Sequence, residues 1–101
     1  MVVAGIKIVP LGTADPHVSE YVARCLDVLD KYPDLTYELT PNETVVQGQL
    51  DRILQAAKEM HLEPFRQGIQ RVVTTIVIDD RRDEEMTMKG KIRAVEEKRQ
   101  K

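Results

Sequence analysis

The densest chemistry in this sequence lies in the charged segment Asp79-Asp80-Arg81-Arg82-Asp83. Adjacent carboxylates can act as acid and base or hold a cation or an amine. Guanidinium groups beside them can hold an anion through fork-like hydrogen bonds. The same run also reads as a loop stitched together by alternating charges. Beside it in sequence stands no nucleophile and no metal-binding cluster. Cys25 is the sole cysteine and lies on the apolar side of a helical repeat, so it reads as a core residue rather than a reactive thiol. His17 and His61 have no metal-ligand spacing with each other or with Cys25, and they are expected at the surface or an interface. Gly-x-Ser-x-Gly, His-Glu-x-x-His, Walker-type and Cys-x-x-Cys motifs are absent from the sequence.

These side chains need elements to position them, and the hydrophobic pattern supplies the elements. Residues 2–9 are rich in β-branched types and read as a strand that Pro10 and Gly12 end. Asp15-Pro16 opens a helix, with Asp as N-cap and Pro in the first turn; Val18, Tyr21, Val22, Cys25, Leu26 and Leu29 mark its buried face. The helix is expected to stop near Lys31, ahead of Pro33. Residues 35–39 and 44–49 form a hairpin across the turn at residues 40–43. A second amphipathic helix runs from Leu50 to about Phe65, and Gly68 suits its C-terminal exit. Residues 70–79 make the fourth strand, and Thr87 caps a last helix with a thin apolar stripe of Met88, Ile92 and Val95.

The order is therefore βαββαβ followed by a helix. Right-handed crossovers put the first two helices on one side of a four-stranded antiparallel sheet, which is the ferredoxin-like α+β plan, in one domain over residues 1–101. The other side of the sheet stays open, and strand alternation sorts residues onto it. Val3, Gly5, Lys7 and Val9 face that way from the first strand. Thr36 and Glu38 do so from the second, Val45, Gln47 and Gln49 from the third, and Val73, Thr75 and Val77 from the fourth. Tyr37, Val46, Ile76 and Ile78 face the helices. Burying a valine contributes ~1.5 kcal/mol or more, so five valines on one open face predict a second copy packed against it with two-fold symmetry. The polar residues among them, Lys7, Glu38, Gln47, Gln49 and Thr75, either satisfy one another across that interface or bind a small molecule there.

Composition narrows the classes further. At 42% hydrophobic and 32% charged, the chain has the balance of a folded soluble domain. Aromatics make up 4%, so the core is aliphatic and the central strands offer no rings on which nucleic-acid bases would stack. A net charge of −2 gives no general pull toward phosphate backbones. The charge is uneven, with three Lys/Arg against seven Asp/Glu in residues 1–50 and twelve against ten in residues 51–101. No apolar run approaches the ~20 residues of a membrane span. The N-terminal residues lack a basic segment and a cleavage site, so a secretory leader is not expected. A single cysteine suits the reducing cytoplasm.

Several segments resemble the small thiamine-binding protein family. They are Val9-Pro10-Leu11-Gly12-Thr13, residues 18–23, Tyr37-Glu38-Leu39-Thr40-Pro41, Arg71-Val72-Val73-Thr74-Thr75-Ile76 and the Asp79–Asp83 run. The resemblance spans nearly the whole chain. It implies a ferredoxin-like subunit that assembles through its sheets into dimers and dimers of dimers. It also implies a non-enzymatic protein, without a cofactor, that binds thiamine or its hydroxymethylpyrimidine part near a subunit interface. A thiamine-type ligand is flat, cationic and amphiphilic. Glu38 and Asp79 are then candidates to offset its charge, and Tyr37 and Thr44 to touch its rings. Gln47, Thr75, Asp80 and Arg82 complete the candidate set on the open face and its adjoining loop. Between Pro41 and Gln49 the family pattern runs Met-Gly-Thr, two apolar residues and Glu-Gly-Glu. This chain keeps Thr44 and Gly48, but has Gln47 and Gln49 in place of the acids and Glu43 in place of a glycine. Gly90 stands where the family tends to have Glu. A homo-oligomeric structural or regulatory module without a ligand is the alternative reading.

Overall fold

A computed structural model of the chain describes residues 1–12, 19–83 and 87–99. The elements in chain order are β1 (Val2–Leu11), α1 (Ser19–Leu29), β2 (Thr36–Leu39), β3 (Thr44–Gly48), α2 (Leu50–Arg66), β4 (Arg71–Asp79) and α3 (Met88–Arg99). The strands form one antiparallel sheet in the order β2-β3-β1-β4. This is the ferredoxin-like arrangement that the element order predicts. The expected helix start at Asp15-Pro16, together with His17 and Val18, lies outside the described residues.

The core forms where α1 and α2 meet the inward face of the sheet. Ile6 and Val46 from the strands pack with Leu29 of α1 and with Ile53 and Met60 of α2, all of them fully buried. The exit of α2 shows how sequence sets a boundary. Gly68 adopts φ +89°, a conformation costly for other residues, and its N–H donates to the Phe65 carbonyl at 3.1 Å while the Ile69 N–H reaches the Pro64 carbonyl at 3.2 Å. Pro64 lies inside the last turns of α2 and has no N–H to give to the Met60 carbonyl one turn back. The Cys25 thiol takes that place, donating to the Met60 carbonyl at 3.5 Å from α1. Cys25 is thus a core residue, 4% exposed, with a specific polar task.

Strand β1 is ten residues long, two more than its apolar run suggests, because it continues through Pro10. The ladder explains the tolerance. β3 pairs with β1 only as far as Ile6, so from Lys7 to Leu11 one edge of β1 is free while β4 holds the other. A proline fits where one edge of a strand has no partner.

The cross-strand register confirms the sorting of faces. Val3 lies between Gln47 and Asp79, Gly5 between Val45 and Val77, and Lys7 and Val9 lie beside Thr75 and Val73. Glu38 is opposite Val45, and Thr36 opposite Gln47. Two expectations need correction. Val3 is on the open face yet only 7% exposed. The start of α3 sits over its row: the Met88 N–H donates to Gln47 Oε1 at 2.9 Å, and Lys91 pairs with Asp79. Ile78 has the inward parity but is 40% exposed, because it lies near the end of the edge strand β4, where the helix layer does not cover it. The uncovered apolar part of the face is therefore the half-buried Val9 and Val45 with the exposed Val73 and Val77.

Candidate functional site

The mismatch in strand length makes an aliphatic cavity. Where β1 outruns β3, a space of about 590 Å³ opens between the free edge of β1, the start of α1 and the hairpin turn, with Met60 of α2 at its base. This is within the size range of small-molecule sites. Its walls are mostly aliphatic, with Ile6, Ile8, Val9 and Pro10 from β1 and Val22 and Leu26 from α1. The polar groups on its rim include Lys7, Thr40, Glu43 and the buried Thr44.

The hairpin turn is fixed tightly. The Thr40 N–H donates to the Glu43 carbonyl at 2.9 Å, the Thr40 hydroxyl lies 2.7 Å from the same oxygen, and the Glu43 N–H donates to that hydroxyl at 3.1 Å. No residue of the two-residue loop, Pro41 and Asn42, has a positive φ. The primed turns that suit tight hairpins need such residues, so the Thr40 side chain supplies closure in their place.

The sequence-predicted residues fall into separate places. Thr44 lines the cavity. Tyr37 lies on the inward face opposite Val46, and its hydroxyl donates to Asp30 Oδ1 at 2.6 Å; that bond pushes the phenol above its ordinary range. Glu38 and Thr75 are exposed on the open face. Gln47 and Asp79 hold the start of α3. Asp80 and Arg82 pair at 3.2 Å and, with Arg81, line a second, more open depression that also touches Met1, Gln49 and Leu50. Arg81 makes a fork-like pair with Asp83 at 2.7 and 3.1 Å, so alternating charges do stitch this loop. The two concave regions adjoin opposite ends of β1. Val3 and Val9 mark those ends, separated by roughly 20 Å at the rise of a strand. The fold thus brings Thr44 together with Glu43 and Lys7, which pattern reasoning treated as a turn residue and an interface residue, and keeps it apart from the charged loop.

His61 is half-buried rather than free, with Nδ1 2.6 Å from the Thr74 hydroxyl and its ring edge-on to Phe65. Among the described residues, no three His, Cys, Asp or Glu side chains gather to hold a metal ion, and no helix is long and apolar enough to cross a membrane.

An open-faced ferredoxin-like domain with an aliphatic cavity at the end of its hairpin belongs to the class of small α+β proteins. Comparison with known proteins narrows the class. The model of the family described as "Thiamine-binding protein" matches residues 4–96, and the chain belongs to that family. It is 40% identical over 98 residues to the UPF0045 protein YqgV of Bacillus subtilis, covering 94% of each chain. The crystal structure of the hypothetical protein MJ1052 of Methanocaldococcus jannaschii is similar, with a TM-score of 0.85 and 42% identity over 95% of this chain and 96% of that one. A Thermotoga maritima structure, described as that of a candidate thiamine biosynthesis/salvage protein, has a TM-score of 0.75 and 26% identity over 93% of this chain and 97% of that one.

Proposed function

We propose that this protein binds thiamine, or its hydroxymethylpyrimidine part, without chemically altering it, and that it does so as a cytoplasmic homo-oligomer. The family match over residues 4–96 is the observation that carries the ligand. The cavity beside the free edge of β1 supports this reading as a place for the ligand. Aliphatic walls suit the faces of flat rings, and Thr40 and Thr44 offer hydroxyls for their polar edges. A single buried thiol is in keeping with a reducing compartment.

Two surfaces support the oligomer. Val73 and Val77 are 45% and 62% exposed on the open face, next to the half-buried Val9 and Val45. Ile92 and Val95 are 53% and 59% exposed on α3. A 12-residue helix with its apolar stripe in water is marginal by itself, so α3 calls for a protein surface to lie on. A second copy set face to face on the sheet supplies one surface for both. A dimer of dimers needs a further contact, and β4 offers it. β4 is a nine-residue edge strand, paired without a break along β1, with charge only at Arg71 and Asp79. Antiparallel self-pairing about Thr75 sets Arg71 opposite Asp79 and Val73 opposite Val77 of the second copy.

Calorimetric titration of the full chain with thiamine and with hydroxymethylpyrimidine tests the ligand. Saturable binding, on the order of one ligand per chain or per dimer, is expected for at least one of them. An oligomer that gives neither heat nor a thermal shift with either compound would leave the assembly module without a ligand.

A further inference from the structure

We propose that the Glu43 carboxylate, seated over Gly5 at the lip of the cavity, is the anchor for the positive charge of the ligand, and that the site therefore selects flat organic cations over neutral analogues. This deepens the thiamine reading and rests on its placement of the ligand in the cavity. Gly5 lies on the open face between Val45 and Val77. A Cβ at Gly5 would fall 2.8 Å from Glu43 Cδ and 3.0 Å from its Oε1, distances that real side chains do not tolerate without movement. Gly5 has no left-handed φ to explain its presence. The space its missing side chain leaves is occupied by the carboxylate.

The backbone of Glu43 is fixed by the three hydrogen bonds to Thr40 described above, and its side chain rests on Gly5. Among the described residues the carboxylate has neither a hydrogen bond nor an ion pair, although Lys7 lines the same cavity. A half-buried charge among valines costs free energy until it meets an opposite charge. The other acids on this face are poorer anchors. Asp79 is already paired with Lys91, and Glu38 is exposed on β2, a strand farther from the centre of the sheet. An amphiphilic cation satisfies both features, placing its apolar part in the aliphatic cavity and its charge against Glu43.

The test compares the full-length protein with Glu43→Gln, Gly5→Ala and Lys7→Gln by calorimetry at pH 8. The probes are thiamine, the simple flat cation N-benzylpyridinium, and neutral hydroxymethylpyrimidine; circular dichroism confirms folding. Glu43→Gln is expected to weaken thiamine and N-benzylpyridinium about tenfold or more and hydroxymethylpyrimidine less than threefold. Gly5→Ala displaces the carboxylate and is expected to do the same. The free Glu43→Gln protein is expected to melt no lower than wild type, since an unpartnered charge is removed. Cation binding that is unchanged in both Glu43→Gln and Gly5→Ala would overturn the anchor while leaving thiamine as the ligand. Equal drops in melting temperature for Glu43→Gln and Lys7→Gln, with cation affinity unchanged, would place Glu43 in a structural ion pair and also overturn it. Failure of thiamine alone, with Glu43-dependent binding of N-benzylpyridinium, would remove the ligand proposed above and retain the anchor. Failure of both cations on wild type would remove both.

Discussion

At the scale of single residues, Cys25 shows how a local rule broken in one element is repaired from another. Pro64 withdraws a donor from α2, and the Cys25 thiol supplies one to the Met60 carbonyl. Cys25→Ala leaves that carbonyl without a partner and is expected to cost about 1–2 kcal/mol in urea denaturation. Burial, with a smaller contribution from Glu63, pushes the thiol from 9.0 up to about 11. A folded-state value above the unfolded one means that the contribution is fully present below pH 9 and is lost as pH rises from 9 toward 11. The stability of wild type is therefore expected to fall more steeply than that of Cys25→Ala over this window. A thiol reagent at pH 8 should label Cys25 only on unfolding. Arg52 belongs to the same scale. It forks onto Asp34 at 2.8 and 3.0 Å and stacks over Tyr32 at 4.6 Å. The bond to Arg52 holds the Asp34 carboxyl below its ordinary value, so this contribution is present at neutral pH and is lost as pH falls through the lowered value. Arg52→Lys keeps the charge but not the fork. Its melting temperature is expected to fall less with acidification than that of wild type.

At the scale of elements, α3 is the piece that pattern reasoning placed least well. Its cap was legible: the Thr87 hydroxyl accepts the Gly90 N–H at 2.9 Å. Where the helix would go was not, because its stripe is thin and its docking depends on Gln47 and Asp79, more than ten residues away in sequence or in another strand. Gln47→Ala removes the acceptor for the Met88 N–H. Hydrogen exchange is expected to speed up at the start of α3 while the strands stay protected, and unchanged protection at Met88 would contradict this anchoring. The strands and the sorting of their faces followed from period-two alternation, and the register confirmed them. The cavity was hidden because it arises from a difference in strand length, β1 having ten residues and β3 five, rather than from any motif. Glu43 was hidden for a related reason. A residue that closes a turn carries no periodicity, and its reach over Gly5 depends on the pairing of β1 with β3.

At the scale of the whole molecule, a single copy leaves unfinished surfaces. The longest dimension is 48 Å, and the radius of gyration of 15.0 Å exceeds the roughly 13 Å of a compact 100-residue domain. The residues of α3 after Met88 are all exposed. The open face and the α3 stripe both present apolar side chains to water, and the proposed second copy would remove both from it. Val77→Asp puts a charge at the most exposed of these valines. It is expected to dissociate the oligomer while leaving the helical and strand signals of circular dichroism intact, since Val77 contributes little to the core of its own subunit. Sedimentation velocity of the unmodified chain at micromolar concentration tests the capped sheet most directly. A species of two or four chains, reduced to one by Val77→Asp, is the expected result. A wild-type boundary at the mass of one chain, 11.5 kDa, would mean that the valines of the open sheet stay wet and that no second copy covers them.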